Sequence, residues 1–295
     1  MAIQKFVYDE FGIVSADFVN IDLANDNRMF LNPYNIELLN DPFAIKATDT
    51  AVDFFECVRK ELLAGNIRQA ESIFCKYLTE PEETCLGYSE KGIKGRGIRE
   101  LAKYVIDNIY YQNNHLINEI KRIEDINLYI DQIADDRVSD IYTNVIRGVL
   151  LEYTEQQCNL HGIPLKLMPS KPFWDISTSS WIRKDYPQFI WHGDKNAKLL
   201  IPKQFVKGTS YSCVKLSYKV ILPELIEEEL QVSDSSLKRY RKDGTVYIAK
   251  KDMRKKLELN GSILDKRFAR EFAKYHQGCT DKLRAEMAKS GRGRK

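Results

Sequence analysis

The sequence predicts a mixed α/β (α+β) fold: a central mixed sheet with flanking helices, followed by a small basic helix–hairpin–helix unit. Three observations carry that expectation. The stretch "DFVNIDL" alternates apolar and polar residues as a half-buried strand does. "SDIYTNVIRGVLLEYTEQQCNLHGIP" repeats apolar residues at helical spacing and ends on Gly162 and Pro164. "RKDGTVYIAKKD" carries an Asp-Gly turn between basic arms.

Taken in order, residues 5 to 36 read as β, broken by the turn-rich "ANDN" and closed by Asn32-Pro33. In "DTAVDFFECVRKELLAGN", Val52, Phe55, Val58 and Leu62 share a stripe, with Asp49 or Thr50 as the expected cap and Gly65 as the stop. "IRQAESIFCKYL" continues as a second helix. A short strand in "EETCLGY" leads to a glycine-rich loop, and a third helix opens near Ile98. After the long helix, Phe189 to Trp191 are expected to pair with Lys198 to Ile201 across a turn at Gly193-Asp194. A helix follows Pro223, and the tail continues as hairpin and helices. The division this implies is a main α/β domain over 1–230 and a second region over 231–295, which the motifs below read as nuclease-like and as nucleic-acid- or partner-binding respectively.

Composition narrows the classes. The chain has 295 residues, enough for a sizeable core, with 43% apolar and 29% charged residues. No apolar run approaches the roughly 20 residues of a membrane span, and "MAIQKFVYDEFG" holds no apolar signal core, so the expected location is cytoplasmic. Six cysteines without a C-x-x-C pair and four widely spaced histidines argue against a zinc site or a disulfide framework. From Gln231 onward, 19 Lys and Arg face 8 Asp and Glu, although the whole chain is only +3. A basic end on an acidic body points to a polyanion or an acidic partner.

Five stretches can carry chemistry. In "DDRVSD", Asp136 and Asp140 have the oxygen donors that Mg²⁺ takes, and Arg137 would neutralise a phosphate; the plainer reading makes Ser139 or Asp140 a helix cap. Asp22 and Asp26 in "NIDLAND" are either a third source of metal ligands or turn residues. The loop "GYSEKGIKGRGIRE" has neither Walker A nor dinucleotide spacing, yet Lys91, Lys94 and Arg96 stand just before a helix start and suit phosphate. Lys203 after "LLIP" is placed like the lysine that assists the attacking water in restriction-type nucleases, although Pro202 stands where those enzymes carry an acid. In the tail, Lys238, Arg239, Arg241, Lys242, Lys250, Lys251, Arg254, Lys255 and Lys256 surround Tyr240 and Tyr247, a composition that fits phosphate contact by a winged-helix-like unit or a solvated charged face.

"FVNIDLANDNRMFLNP", "LGYSEKGIKGRGI", the long helix and "LLIPK" together resemble a family of nuclease-like bacterial proteins associated with phage defence, over residues 15 to 230. The chain departs from that pattern at Asn32, where the family carries an aspartate, and ahead of "DRVSD", where the family carries a glycine-rich approach. The resemblance implies a defence protein acting beside a partner. Together with the residues it leads to two expectations: a Mg²⁺-dependent nuclease or nuclease-like subunit acting on DNA, or a non-catalytic adaptor that binds nucleic acid or a partner ATPase or nuclease.

Overall fold

The computed structural model describes residues 5–87, 97–191, 197–206, 212–257 and 266–292. Helix accounts for 58% and strand for 10%, so the fold is mixed α+β with helices dominant. The first half is α1 (Val7–Phe11), α2 (Pro33–Glu37), α3 (Pro42–Leu63), α4 (Ile67–Cys75), α5 (Ile98–Asp107) and α6 (Ile126–Tyr129). The 27-residue α7 (Asp135–His161) follows. Then come β1 (Leu165–Pro169), β2 (Phe173–Asp175), β3 (Ser180–Ile182) and β4 (Asp185–Phe189). The chain continues with α8 (Cys213–Leu216), α9 (Leu222–Gln231), β5 (Arg239–Tyr240), β6 (Val246–Tyr247), α10 (Lys250–Lys256), α11 (Lys266–Tyr275) and α12 (Cys279–Arg292).

Helix α7 is the element on which the core is built. Ile141, Val145, Ile146, Val149 and Leu150 are buried along it. Gly162, with φ of +67°, ends it in the left-handed conformation that glycine adopts without steric cost. Gly148 is required for a different reason. A Cβ there would meet the Phe173 ring at 2.5 Å, so β2 lies against the bare backbone of α7.

Helix α3 begins earlier than the Asp49-Thr50 cap would have it. The Asp41 carboxylate accepts from the Phe43 and Ala44 amides, both at 3.0 Å, and Pro42 occupies the first turn. That combination satisfies two free amides and pre-sets φ, which outcompetes a cap inside a continuous apolar stripe.

The described strands form three two-stranded antiparallel sheets, β1–β4, β2–β3 and β5–β6, in place of one central sheet. The alternating N-terminal segment is extended and buried, but its pairings are single bridges, Phe6 with Asp22 and Phe18 with Pro202. Val19 donates to Ile201 and Leu23 to Lys5, so its backbone groups are shared among distant partners and no ladder extends. Phe189 does meet Lys198, with Lys198 N donating to Phe189 O at 2.7 Å. The longer partner of β4 is β1, in register from Leu165–Phe189 to Pro169–Asp185. The expected turn at Gly193-Asp194 lies outside the described residues. In place of the expected short strand, residues 82–87 form a 3-10 turn over Glu82–Thr84 and a single bridge at Leu86.

The C-terminal residues divide between two cores. The hairpin and α10 fold onto α9 through a small cluster of Leu222, Ile248 and Met253. Helices α11 and α12 join the main core through Ala269, Phe272, Ala273, Leu283 and Met287. The Glu119 carboxylate accepts from Gly278 N (2.5 Å) and Thr280 N (3.1 Å), capping the start of α12. Arg284 reaches Glu37 at 2.7 Å and the fully buried Asp125 at 2.6 Å. Removing one partner of such a pair strands the other charge. Arg284→Ala is therefore expected to lower unfolding stability by about 3 kcal/mol in a denaturant titration. Lys250→Ala on the exposed wing should change it by less than about 0.5 kcal/mol. Equal effects would show that α12 is not tied to the body in this way.

Candidate functional site

The acidic start of α7 is the first candidate. Its N-cap is Ala134, which offers no side-chain cap, and Asp135 and Asp136 lie in the first turn, where acids suit the helix dipole. Ser139 and Asp140 are too far into the helix to cap it, which corrects the cap reading. Ser139 is buried and its Oγ accepts from Leu31 N at 2.9 Å, tying the N-terminal segment to the helix. Asp140 is half-buried, 3.6 Å from Arg137, and Arg137 also reaches Glu80 at 3.3 Å. Burial pushes the Asp140 carboxyl up to about 7; the Glu80 charge adds to this, Arg137 opposes it and Asp136 adds a little more.

The other expected metal and catalytic residues sit in settings of their own. Asp22 is buried, and its carboxylate accepts from Lys5 N (3.2 Å), Ala24 N (3.0 Å) and Asn25 Nδ2 (2.8 Å). Burial works to raise its pKa, but these hydrogen bonds outweigh it and hold the carboxyl below its ordinary value. This is the turn role of aspartate. Lys203 starts a 3-10 turn, with its amide on Asp17 O and its ammonium 5.6 Å from the centre of the Tyr8 ring. Among the described residues, no three His, Cys, Asp or Glu side chains gather closely enough to hold a metal ion, so Asp22, Asp136 and Asp140 do not form a shared Mg²⁺ site there. The loop cations Lys91, Lys94 and Arg96 lie outside the described residues.

The basic wing is the second candidate. Asp243 and Gly244 (φ +81°) close the β5–β6 turn, with Asp243 Oδ1 accepting from Thr245 N. Arg241 lies over the Tyr247 ring at 5.2 Å, and Tyr240 is 72% exposed on the neighbouring strand. Arg239 pairs with Asp252 and Lys256 with Glu229, while Arg254 lies over Tyr218 at 5.3 Å. Lys238 is half-buried. Lys242, Lys250, Lys251 and Lys255 are exposed and form no ion pair with described residues. Four open cations beside an exposed aromatic ring suit a phosphate backbone with a base stacked nearby.

The best-satisfied polar group in the body was not singled out from the sequence. Arg147, 2% exposed, donates from Nε to Glu83 Oε1 at 2.8 Å, from Nη2 to Asn144 Oδ1 at 2.9 Å, and from Nη1 to the Pro172 carbonyl. Lys171 binds the second oxygen of Glu83 at 2.6 Å. Burial works against the Glu83 charge, but Arg147 and Lys171 outweigh it and keep the carboxyl below its usual range. The sequence did hold a signal: Asn144, Arg147, Thr154 and Cys158 recur at spacings of three, four and seven on a helix otherwise rich in apolar residues.

Fold and surfaces thus define an α+β body built on one long helix, with a basic wing attached. The chain belongs to a family described as a domain of unknown function (DUF8370), whose model matches residues 11–213. No curated protein and no solved structure matches it. The matched span contains α7 and its ion pairs and stops before α9, the hairpin and α10.

Asp140 gives a prediction with a definite sign. Its folded pKa is raised, so its contribution to stability is complete below about 3.8 and is lost as pH climbs to about 7. Asp140→Asn should raise the melting temperature by several degrees at pH 8 and leave it nearly unchanged at pH 4. A helix-cap role would instead lower it at pH 8.

Proposed function

We propose that this protein is a non-catalytic nucleic-acid-binding subunit that grips phosphates through the β5–β6 hairpin and α10. The observation that supports this most is the set of exposed cations Lys242, Lys250, Lys251 and Lys255 on the hairpin and α10, which form no ion pair with described residues, on a unit that also exposes Tyr240. Phosphate contact of this kind is largely sequence-blind and salt-dependent, which suits an adaptor that brings a partner ATPase or nuclease to DNA. The setting in bacterial phage defence rests on the resemblance of the sequence motifs alone. No helix among the described residues is long and apolar enough to cross a membrane.

A second reading keeps the nuclease. Asp140, whose pKa is raised by burial and by the Glu80 and Asp136 charges, lies beside Arg137; among the described residues these acids are not gathered into a metal site, so in this reading Mg²⁺ would arrive with the substrate phosphates. In that reading Mg²⁺ supplies Lewis-acid chemistry and the wing supplies substrate grip. Mg²⁺-dependent plasmid cleavage that disappears in Asp140→Ala would support it; a nicking activity undiminished by that change would remove Asp140 from any mechanism.

For the first reading, fluorescence anisotropy with labelled duplex should show affinity falling steeply with salt. Replacing Lys250, Lys251 and Lys255 together by Ala should reduce the log–log salt slope by about 2 to 3, since each lost phosphate contact removes about 0.9. Tyr240→Ala should weaken single-strand binding more than duplex binding. Binding unchanged by the triple substitution would contradict the assignment of this face.

A further inference from the structure

Away from the wing, a pocket of about 110 Å³ is lined by the charged Lys171, Arg147 and Glu83, by Gln188, and by apolar residues that include Leu151, Met168 and Leu199. Two cations share one carboxylate there, which leaves a surplus positive charge at the wall. The three guanidinium nitrogens of Arg147 each already donate once, to Glu83, Asn144 and Pro172. Lys171 donates once, to Glu83, and its side chain is 36% exposed at the mouth. An ammonium has three N–H groups, so two remain for a ligand. Of the apolar lining, Leu151 and Leu199 are almost fully buried, and the Gln188 amide donates to Met168 O at 2.9 Å.

Size selects among anions. Drug-sized ligands and nucleotides need pockets of roughly 300–1,000 Å³, while a cavity of about 150 Å³ holds a benzene ring. A pocket of about 110 Å³ therefore fits a small molecule with one charged end. From these observations we propose that the pocket binds a small organic carboxylate, its oxygens on the Lys171 ammonium and its hydrocarbon end against Leu151, Met168 and Leu199. The buried pair of Glu83 and Arg147 acts as a positioning element: it fixes the Lys171 ammonium at the mouth while the apolar wall excludes water. The site is separate from the hairpin surface, so it would give this chain a metabolite-responsive pocket inside the family-matched body.

The test is calorimetric titration and thermal shift of the full chain with propionate and butyrate, against propanol, butanol and inorganic phosphate at matched ionic strength. At about ten times the dissociation constant, a carboxylate should raise the melting temperature by a few degrees. The alcohols and phosphate should give no shift. Lys171→Met should abolish the carboxylate shift. Ala197→Phe, which fills the pocket from its rim, should do the same and keeps the test decisive if Lys171→Met fails to fold. No shift with either carboxylate, an equal shift with the alcohols, or a shift surviving in a folded variant would overturn the proposal. A shift with phosphate alone would overturn the carboxylate assignment.

Discussion

The buried pair between Arg147 and Glu83 fixes the geometry on which the rest of the body depends. Removing a carboxylate and a guanidinium from water costs several kcal/mol each, and that cost is recovered only if every donor finds a partner. Here the partners come from separate segments. Glu83 belongs to the 3-10 turn over Glu82–Thr84, and its own carbonyl accepts from Leu199 N at 2.8 Å. Asn144, one turn before Arg147, binds Thr79 O at 2.8 Å and accepts from Thr79 N at 3.1 Å. Pro172 leads into β2, whose Phe173 lies on Gly148. Further along the helix, Thr154 accepts from Leu200 N at 2.9 Å. One face of α7 thus gathers the 79–84 turn, the approach to β2 and the 199–200 segment by polar contacts, while its other faces bury aliphatic side chains.

This explains why parts of the fold were legible in the sequence and others were not. Helix α4, the body and Gly162 end of α7, the start of α5 at Ile98, and the Asp243-Gly244 hairpin are set by local patterns and stand where those patterns put them, while α7 begins at Asp135, ahead of the expected Ser139-Asp140 cap. The apolar residues of the N-terminal segment are buried (Phe18, Val19, Ile21 and Leu23), but so is Asp22, so the segment is covered on both sides and does not alternate as a half-buried strand. Its pairing partners lie some 180 residues away at Ile201 and Pro202, and alternation says nothing about which strand will be met. Asp41-Pro42 was an available start signal for α3, hidden because the clearest apolar stripe, from Val52 to Leu62, begins later. The role of Gly148 depends on a ring 25 residues on, so no local rule exposes it.

Charged residues were the hardest to read, because a sequence does not distinguish a carboxylate in water from one in a core. "DDRVSD" drew attention as a dense acidic run, yet its members diverge: Asp135 accepts from Asn127, Ser139 holds Leu31, and only Asp140 faces other charges under burial. Glu83 and Arg147, single residues in unremarkable contexts, carry the internal network. The tail reads the other way. Its cations were visible as a surplus, and where the chain folds them onto α9 several stay open to solvent. The buried charges of Arg147, Glu83, Arg284 and Asp125 are neutralised inside the body, while Lys242, Lys250, Lys251 and Lys255 on the wing are exposed and available to a polyanion.

A double-mutant cycle on Glu83 and Arg147 tests this account most directly, with Glu83→Gln, Arg147→Met and the pair compared by chemical denaturation. If the ion pair is the constraint described, each single change costs about 3 kcal/mol or more, because the remaining charge is left buried. The double variant should then lose at least about 2 kcal/mol less than the sum of the two. Losses that add to within about 0.5 kcal/mol would mean that Glu83 and Arg147 contribute independently, and the body would have to be held by its aliphatic core alone.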